Sequence, residues 1–137
     1  QRPEMAIHLF ARKILEGKPI TVYGDGSSSR DYTYIEDCVS GVVASIDRAT
    51  KVEGYRIYNL GCSATTTLSE LVAHLEEAAG KKAIIDRRPD QPGDVPRTFA
   101  DIARAEAELG YDPKTPVKVG IPRFVEWLKG RMAEQTR

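Results

Sequence analysis

The sequence is short of the features that mark specialised protein classes. No apolar run in its 137 residues reaches the roughly 18 that a bilayer-spanning helix requires, which excludes a helical membrane protein. An excess of one charge is missing too. Lys plus Arg number 20 against 20 Asp plus Glu, so the basic surplus of a dedicated nucleic-acid binder is absent. Only two cysteines occur, Cys38 and Cys62, and only two histidines, His8 and His74. They form no CxxC, HxxxH or HExxH spacing, so neither structural nor catalytic metal is expected. Two cysteines do not build a secreted disulfide framework, and packed thiols in a reduced, cytoplasmic setting are the expectation. With 41% hydrophobic and 29% charged residues, what is left is one soluble globular domain.

Catalytic motifs are missing as well. A dinucleotide-binding turn needs glycines between a strand and a helix, so that backbone N–H groups reach the pyrophosphate. The nearest match, Gly24-Asp25-Gly26-Ser27-Ser28-Ser29, has Ser where the third Gly would stand, and β-rich residues follow it; a plain turn is expected. Walker-A and GxSxG sequences do not occur. No tyrosine has a lysine four residues on, the arrangement that lowers a phenol pKa in many reductases and epimerases. The positions beyond Tyr23, Tyr32, Tyr34, Tyr55, Tyr58 and Tyr111 hold Ser27, Glu36, Cys38, Asn59, Cys62 and Thr115. The chain alone is therefore not expected to perform redox chemistry.

What is there alternates short strands and helices, which indicates an α/β or α+β class with a small sheet of three or four strands. Ile7, Phe10, Ala11, Ile14 and Leu15 have helical spacing over 3–16, closed by Gly17. Ile20 to Tyr23 predicts a strand, Gly24 to Ser27 a turn, and Asp31 to Ile35 a second β-rich piece. Val39, Val42, Val43 and Ile46 mark a helix over about 37–49, with Glu36 or Asp37 at its positive end. Tyr55 to Leu60 reads as a strand. Thr67 and Glu70 have the capping-box spacing for a helix carrying Leu68, Leu71, Val72, Leu75 and Ala79 and ending at Gly80. Lys82 to Arg87 predicts a strand, Asp101 the cap of a short helix to Leu109, and Ile121, Phe124, Val125 and Leu128 a last helix.

Two loops concentrate charge and aromatic character. In the first, Tyr23 precedes the glycine turn and Arg30 follows it beside Asp31. An aromatic can pack a base and an arginine fork can pair with phosphate oxygens, although a structural Arg30–Asp31 arrangement reads equally from the residues alone. In the second, Asp86 to Arg97, arginines stand on a proline-stiffened loop, and such a loop loses less entropy when it clamps an anion, although a solvated loop reads from the pattern as well.

The segments RPEMAIHLFARKILEGKPITVYGDGSSSRDYTYIEDCVSGV, YNLG and PGDVPRTFADIARAEAELGYDPKTPVKVGIPRFVEWLK together resemble the C-terminal portion of extended short-chain dehydrogenase/reductases, over essentially the whole chain. These are NAD-dependent nucleotide-sugar epimerases and dehydratases, and the likeness is greatest to UDP-glucose and UDP-glucuronate 4-epimerases. The resemblance implies an α/β chain: a C-terminal substrate-binding domain over residues 1–137, with the last elements of a Rossmann-type domain. The N-terminal NAD-binding Rossmann domain, with its Tyr–Lys pair, would be absent. NAD would serve the full-length parent and not bind this portion, which would be inactive alone. Carried over by position, Thr21 and Tyr23 would contact the uracil or thymine of a UDP- or dTDP-sugar, and Arg30 the diphosphate. Arg88, with Gln91 competing for the role, would meet a phosphate or the ribose, Asp94 the ribose, and Arg2 the sugar carboxylate. Epimerase, dehydratase and decarboxylase differ mainly near the catalytic tyrosine, outside these residues. The alternative is a stand-alone nucleotide or nucleotide-sugar binding module without catalysis.

A consequence of that resemblance is physical. The helix near Val39 to Ile46 and the strand Tyr55 to Leu60 would belong against a parallel sheet, normally covered on both faces. Separated from it, they would expose apolar surface and an open edge, and homodimerisation or swapping is expected. Nucleic acid and membrane are not expected partners.

Overall fold

The computed structural model describes residues 5–135. Helix α1 spans Ala6–Glu16 and buries Phe10, Ala11 and Ile14. It stops at Gly17, whose φ of 68° lies in the left-handed region that costs glycine nothing, so the last carbonyls find the N–H groups of Gly17 and Lys18. Strand β1, Ile20–Tyr23, follows at once and alternates: Ile20 and Val22 point inward while Tyr23 is exposed.

Strand β2 is only Ser29–Arg30 and pairs antiparallel with β3, Thr66–Thr67. The expected β-rich piece from Asp31 to Ile35 is not a strand. Residues 31–34 are irregular and helix α2 already starts at Ile35, running to Ala49. Backbone and side-chain bonds to Asp31, described below, replace a ladder there.

Helix α3, Leu68–Ala79, opens on the expected capping box. Thr67 Oγ1 accepts from the Glu70 N–H at 3.1 Å, and the Glu70 carboxylate accepts from the Thr67 N–H at 2.8 Å. The Thr67 N–H and hydroxyl, both donating to it, hold the Glu70 carboxyl below its ordinary range. Strand β4, Ile85–Arg88, then returns parallel to β1. Asp101, expected as the cap of α4, Ala103–Leu109, stands one residue before the cap position. The N-cap is Ile102, which makes no side-chain cap bond, and Asp101 instead accepts from the Ala103 N–H at 3.0 Å across the turn that enters the helix. Helix α5, Val117–Gln135, runs through Pro122, whose missing N–H leaves one bond of the helix unmade.

Two cores result. The larger packs α1, β1, α3 and α5 around Ile14, Ile20, Leu71, Leu75 and Val125, with α3 against both α1 and α5. The smaller lies under α2 and α4 around Ile102, Ala105 and Tyr111, flanked by Tyr58 and Leu60. The chain is thus α/β, with its strands in two two-stranded sheets, one parallel and one antiparallel.

Tyr55 to Leu60, expected as a strand, has no ladder. Its sequence suits a sheet, but a strand exists only where a neighbour takes its N–H and C=O groups, and among the described residues none lies alongside. Tyr55 and Ile57 are exposed. So is the apolar stripe of α2, with Ile35 at 64%, Val39 at 48%, Val43 at 51% and Ile46 at 61% exposure. Asp37 and Gly41 are the buried residues of that helix. Among the described residues, no helix is long and apolar enough to cross a membrane.

Gly41 marks where α2 meets the smaller core. A Cβ there would stand 2.5 Å from a methyl of Leu60 and 3.0 Å from the Tyr111 ring. In α5, Gly130 has open space at the same test. Gly130→Ala should therefore raise stability by about 0.5–1 kcal/mol through helix propensity. Gly41→Ala should lower it by about 1–3 kcal/mol through overpacking, against the same propensity gain. Urea unfolding followed by circular dichroism compares the two, and equal effects of the same sign would contradict this packing.

Candidate functional site

The register of β1 on β4 sets one end of the candidate site. Ile20 faces Ile85, Thr21 faces Asp86, Val22 faces Arg87 and Tyr23 faces Arg88. Because Ile20 and Val22 turn into the core, period-two alternation sends Thr21, Tyr23, Asp86 and Arg88 to the opposite face. The ladder continues past Tyr23, with the Gly24 N–H donating to the Arg88 carbonyl at 2.9 Å. Arg88 is fixed by its own strand, its Nε and Nη2 donating to Asp86 Oδ2 at 3.0 and 2.9 Å.

The glycine turn is strapped down on both sides. Gly24 and Gly26 have φ of 68° and 88°, which the turn demands, and Asp25 accepts from the Ser27 N–H at 2.8 Å. The Ser27 hydroxyl and N–H hold the Asp25 carboxyl low. Arg87 donates to the Gly24 carbonyl at 2.7 Å, and the Ser69 N–H and hydroxyl both donate to the Gly26 carbonyl at 3.1 Å. A Cβ on Gly24 would collide with the Asp90 carboxylate, and one on Gly26 with the Ser69 hydroxyl. The turn leads into β2, not into a helix N-terminus, so it does not fit a dinucleotide cradle.

Arg30 sits in β2 opposite Thr66, and the strand's other edge meets the end of the second loop. The Ser29 N–H donates to the Pro96 carbonyl at 2.9 Å and the Thr98 N–H to the Ser29 carbonyl at 3.1 Å. The Arg30 guanidinium donates to the Ser29 carbonyl at 2.9 Å and to Asp94 Oδ1 at 3.3 Å. The 89–96 loop is therefore anchored beside Tyr23 at one end and beside Arg30 at the other. Gln91 forms its turn, the Gln91 carbonyl accepting from the Asp94 N–H at 3.1 Å, while its side chain is exposed. Tyr32, next but one to Arg30, is half-buried; burial pushes its phenol pKa up, with the Arg30 charge opposing.

The structure thus joins Thr21, Tyr23 and Arg88 on one sheet face, and Arg30 with Asp94 at the far anchorage of the same loop. Arg2 lies outside the described residues. The surface is open. A hollow of about 170 Å³ lies on the helix side of the sheet between Val22, Val72 and Arg87, and one of about 310 Å³ lies by Tyr55, Arg104 and Glu108. Neither is lined by any of the residues expected to bind substrate.

Sequence reasoning missed Asp31. It does not pair with Arg30. Its carboxylate accepts from the N–H groups of Cys62 at 2.9 Å, Ser63 at 3.1 Å and Ala100 at 3.1 Å, while its own N–H donates to Thr98 Oγ1 at 3.1 Å. Two distant chain segments, 62–63 and 98–100, are thereby tied to the residue beside Arg30. A Cβ on Gly61 would stand 2.9 Å from that carboxylate, so glycine is what lets the 61–63 turn approach it. Asp37, expected to serve the dipole of α2, also accepts from the N–H groups of Lys114 and Thr115 at 3.2 and 2.9 Å. Adjacency of Arg30 and Asp31 was the available signal, and it suggested the wrong partner.

Cys62 is a packed thiol. Burial, then the Asp31 carboxylate, push its pKa up to about 11. Burial also raises the Tyr111 phenol to about 12, where its hydroxyl donates to the Gly61 carbonyl at 2.9 Å.

A family model described as GDP-mannose 4,6 dehydratase matches residues 1–124. The probable UDP-glucuronate 4-epimerase of Rhizobium meliloti is 37% identical over 92% of this chain and 42% of its own length. UDP-glucuronate 4-epimerase 5 of Arabidopsis thaliana is 40% identical over 94% of this chain and 33% of its own. Among solved structures, UDP-glucuronic acid 4-epimerase from Bacillus cereus, in complex with UDP-glucuronic acid and NAD, superposes with a TM-score of 0.83. It is 34% identical and is matched over 93% of this chain and 41% of its own. The chain spans well under half the length of these relatives.

The raised thiol has a measurable signature. At pH 9 an unperturbed cysteine is largely thiolate, whereas a group titrating near 11 is about 1% ionised. Alkylation of Cys62, mapped by peptide mass, should stay slow at pH 9 and accelerate towards pH 11. Asp31→Asn should bring the rise to lower pH by removing the neighbouring charge. Fast modification of Cys62 at pH 8 in the folded protein would contradict this environment.

Proposed function

Since the chain belongs to the GDP-mannose 4,6 dehydratase family, we propose that it is the substrate-binding portion of an NAD-dependent nucleotide-sugar epimerase, holding the UDP or dTDP end of the substrate. The observation that carries this reading is the pairing of Tyr23 with Arg88, joined through one loop to Arg30. The Tyr23 ring offers the base a flat apolar wall, and the free backbone of β1 at Thr21 and Tyr23 offers it polar groups. Arg30 supplies a planar fork for the diphosphate, and Arg88 a second cation at the other end of the loop. On this reading Asp94 accepts from the ribose hydroxyls, and Gln91 competes with Arg88 for a phosphate or ribose contact.

NAD, when bound to the parent, supplies its redox chemistry. The residues described here do not fit that cofactor, because the glycine turn opens onto a strand and the tyrosines lack a lysine four positions on. On this reading an N-terminal Rossmann domain, absent from these residues, carries the NAD site and the catalytic pair, and the chain alone is inactive. The exposed stripe of α2 and the unladdered Tyr55 to Leu60 segment support it, being the surfaces such a domain would cover. The B. cereus relative's UDP-glucuronic acid complex supports a UDP-sugar as substrate and 4-epimerisation as the reaction of the parent. A cytoplasmic setting goes with this function.

Calorimetric titration of the chain with UDP and dTDP should give measurable binding without turnover. Arg30→Ala should weaken it about 10- to 100-fold, the range for losing a hydrogen bond to a charged group. A folded chain that binds neither nucleotide at millimolar concentration would sink this reading. The apolar stripe generates a separate expectation: the isolated chain should self-associate in light scattering, as a homodimer or larger. Ile46→Lys, at a side chain 61% exposed, should shift it towards monomer without lowering stability. A wild-type chain that stays monomeric at high concentration would remove the claim.

A further inference from the structure

The cation best placed to meet a diphosphate is already engaged. Arg30 Nη2 donates to Asp94 Oδ1 at 3.3 Å, and Nη1 donates to the Ser29 carbonyl at 2.9 Å. The two partners are unequal. The Arg30 side chain is 25% exposed and laid along β2, whereas that of Asp94 is 60% exposed.

The backbone at Asp94 is set by its own turn, and its side chain reaches Arg30 from there. Gln91, Pro92, Gly93 and Asp94 close with the Asp94 N–H on the Gln91 carbonyl, and Gly93 has φ of 88°. Proline second and a positive-φ glycine third is the signature of a type II turn, whose fourth residue is presented in a set direction. The loop beyond it is tied to Ser29 through Pro96 and Thr98. The turn and the Ser29 bonds thus fix the backbone from which the Asp94 carboxylate reaches Nη2 of Arg30, and an incoming anion on that edge of Arg30 meets it as a like charge.

We propose that Asp94 is a selectivity residue that masks Arg30 from bare anions, yielding it to a ligand that brings hydroxyl donors for the displaced carboxylate. A nucleoside diphosphate meets that condition, because its ribose diol donates to Asp94 while its phosphates take Arg30. Inorganic phosphate and pyrophosphate bring charge without neutral donors, and so must bind beside an uncompensated carboxylate. The proposal rests on the nucleotide reading for its natural ligand, but the mask itself does not. An exposed ion pair is a weak barrier, and the exchange remains easily reversible.

The test titrates the wild-type chain, Asp94→Ala, Asp94→Asn and Arg30→Ala with pyrophosphate and with UDP at low ionic strength. Asp94→Ala should bind pyrophosphate about two- to fivefold tighter, as expected for releasing an exposed ion pair. Its preference for UDP over pyrophosphate should fall by about tenfold or more, since the ribose loses a charged acceptor. Asp94→Asn should share the gain for pyrophosphate and keep part of the preference, because an amide oxygen still accepts. Arg30→Ala should lose pyrophosphate binding whether or not Asp94 is present. Pyrophosphate affinity that is undetectable in every variant, or unchanged or weaker in Asp94→Ala, overturns the mask, even if UDP binds well. A tighter pyrophosphate complex in Asp94→Ala with no UDP binding anywhere keeps the mask and removes the nucleotide reading.

Discussion

The pairing of β1 with β4 is the constraint from which the candidate site follows. Four residues on each strand lie in parallel register, and that register alone puts the aromatic end of one strand beside the arginine end of the other. The pairing is driven from the other face, where Ile20 and Val22 bury themselves against α1 and α3. A slip of one residue would turn Tyr23 into the core and Val22 into solvent, so the burial that stabilises the sheet also fixes what it displays. Everything beyond it inherits this setting. The loop leaving Arg88 must start next to Gly24, and its return to Ser29 brings Asp94 to Arg30.

Carboxylates do much of the structural work around that loop. Asp31 gathers the N–H groups of three residues from two distant segments, and Asp37 those of Lys114 and Thr115. Backbone N–H groups near a fold's interior need acceptors, and a carboxylate can satisfy several at once. This lets the 60–63 turn, the 98–101 segment and the 112–116 connection run without regular secondary structure. It also explains why Cys62 and Tyr111 hold their protons so firmly, sitting as they do in the same partly buried, acid-lined seam. Acidic residues that read as candidate chemistry are here the fasteners of the site's frame.

The energetics of α2 point outward. Its helix is amphipathic, yet its apolar stripe is largely in solvent, while its contact with the rest of the chain runs through Gly41, Asp37 and α4. Burying a side chain of the size of Val or Ile contributes roughly 1.5–3 kcal/mol, so the stripe represents stabilisation still to be gained by association. The nearby Tyr55 to Leu60 segment is in the same condition for hydrogen bonding, with β-type residues and no neighbouring strand among the described residues.

Local signals fixed much of this in advance. Helices α1, α3 and α4 follow from apolar periodicity with Gly17, Gly80, Gly110 and Thr67 at their ends, because caps and breakers act within a few residues. The turn at Gly24 to Ser27 and the strand before it follow for the same reason. What the tertiary structure decided was partnership. A strand is defined by a neighbour, so Tyr55 to Leu60 could carry the pattern and still form none. The partner of Arg30 proved to be Asp94, 64 positions away, and not the adjacent Asp31. Ion pairs and ladders depend on distance in space, and only the folded chain sets that distance.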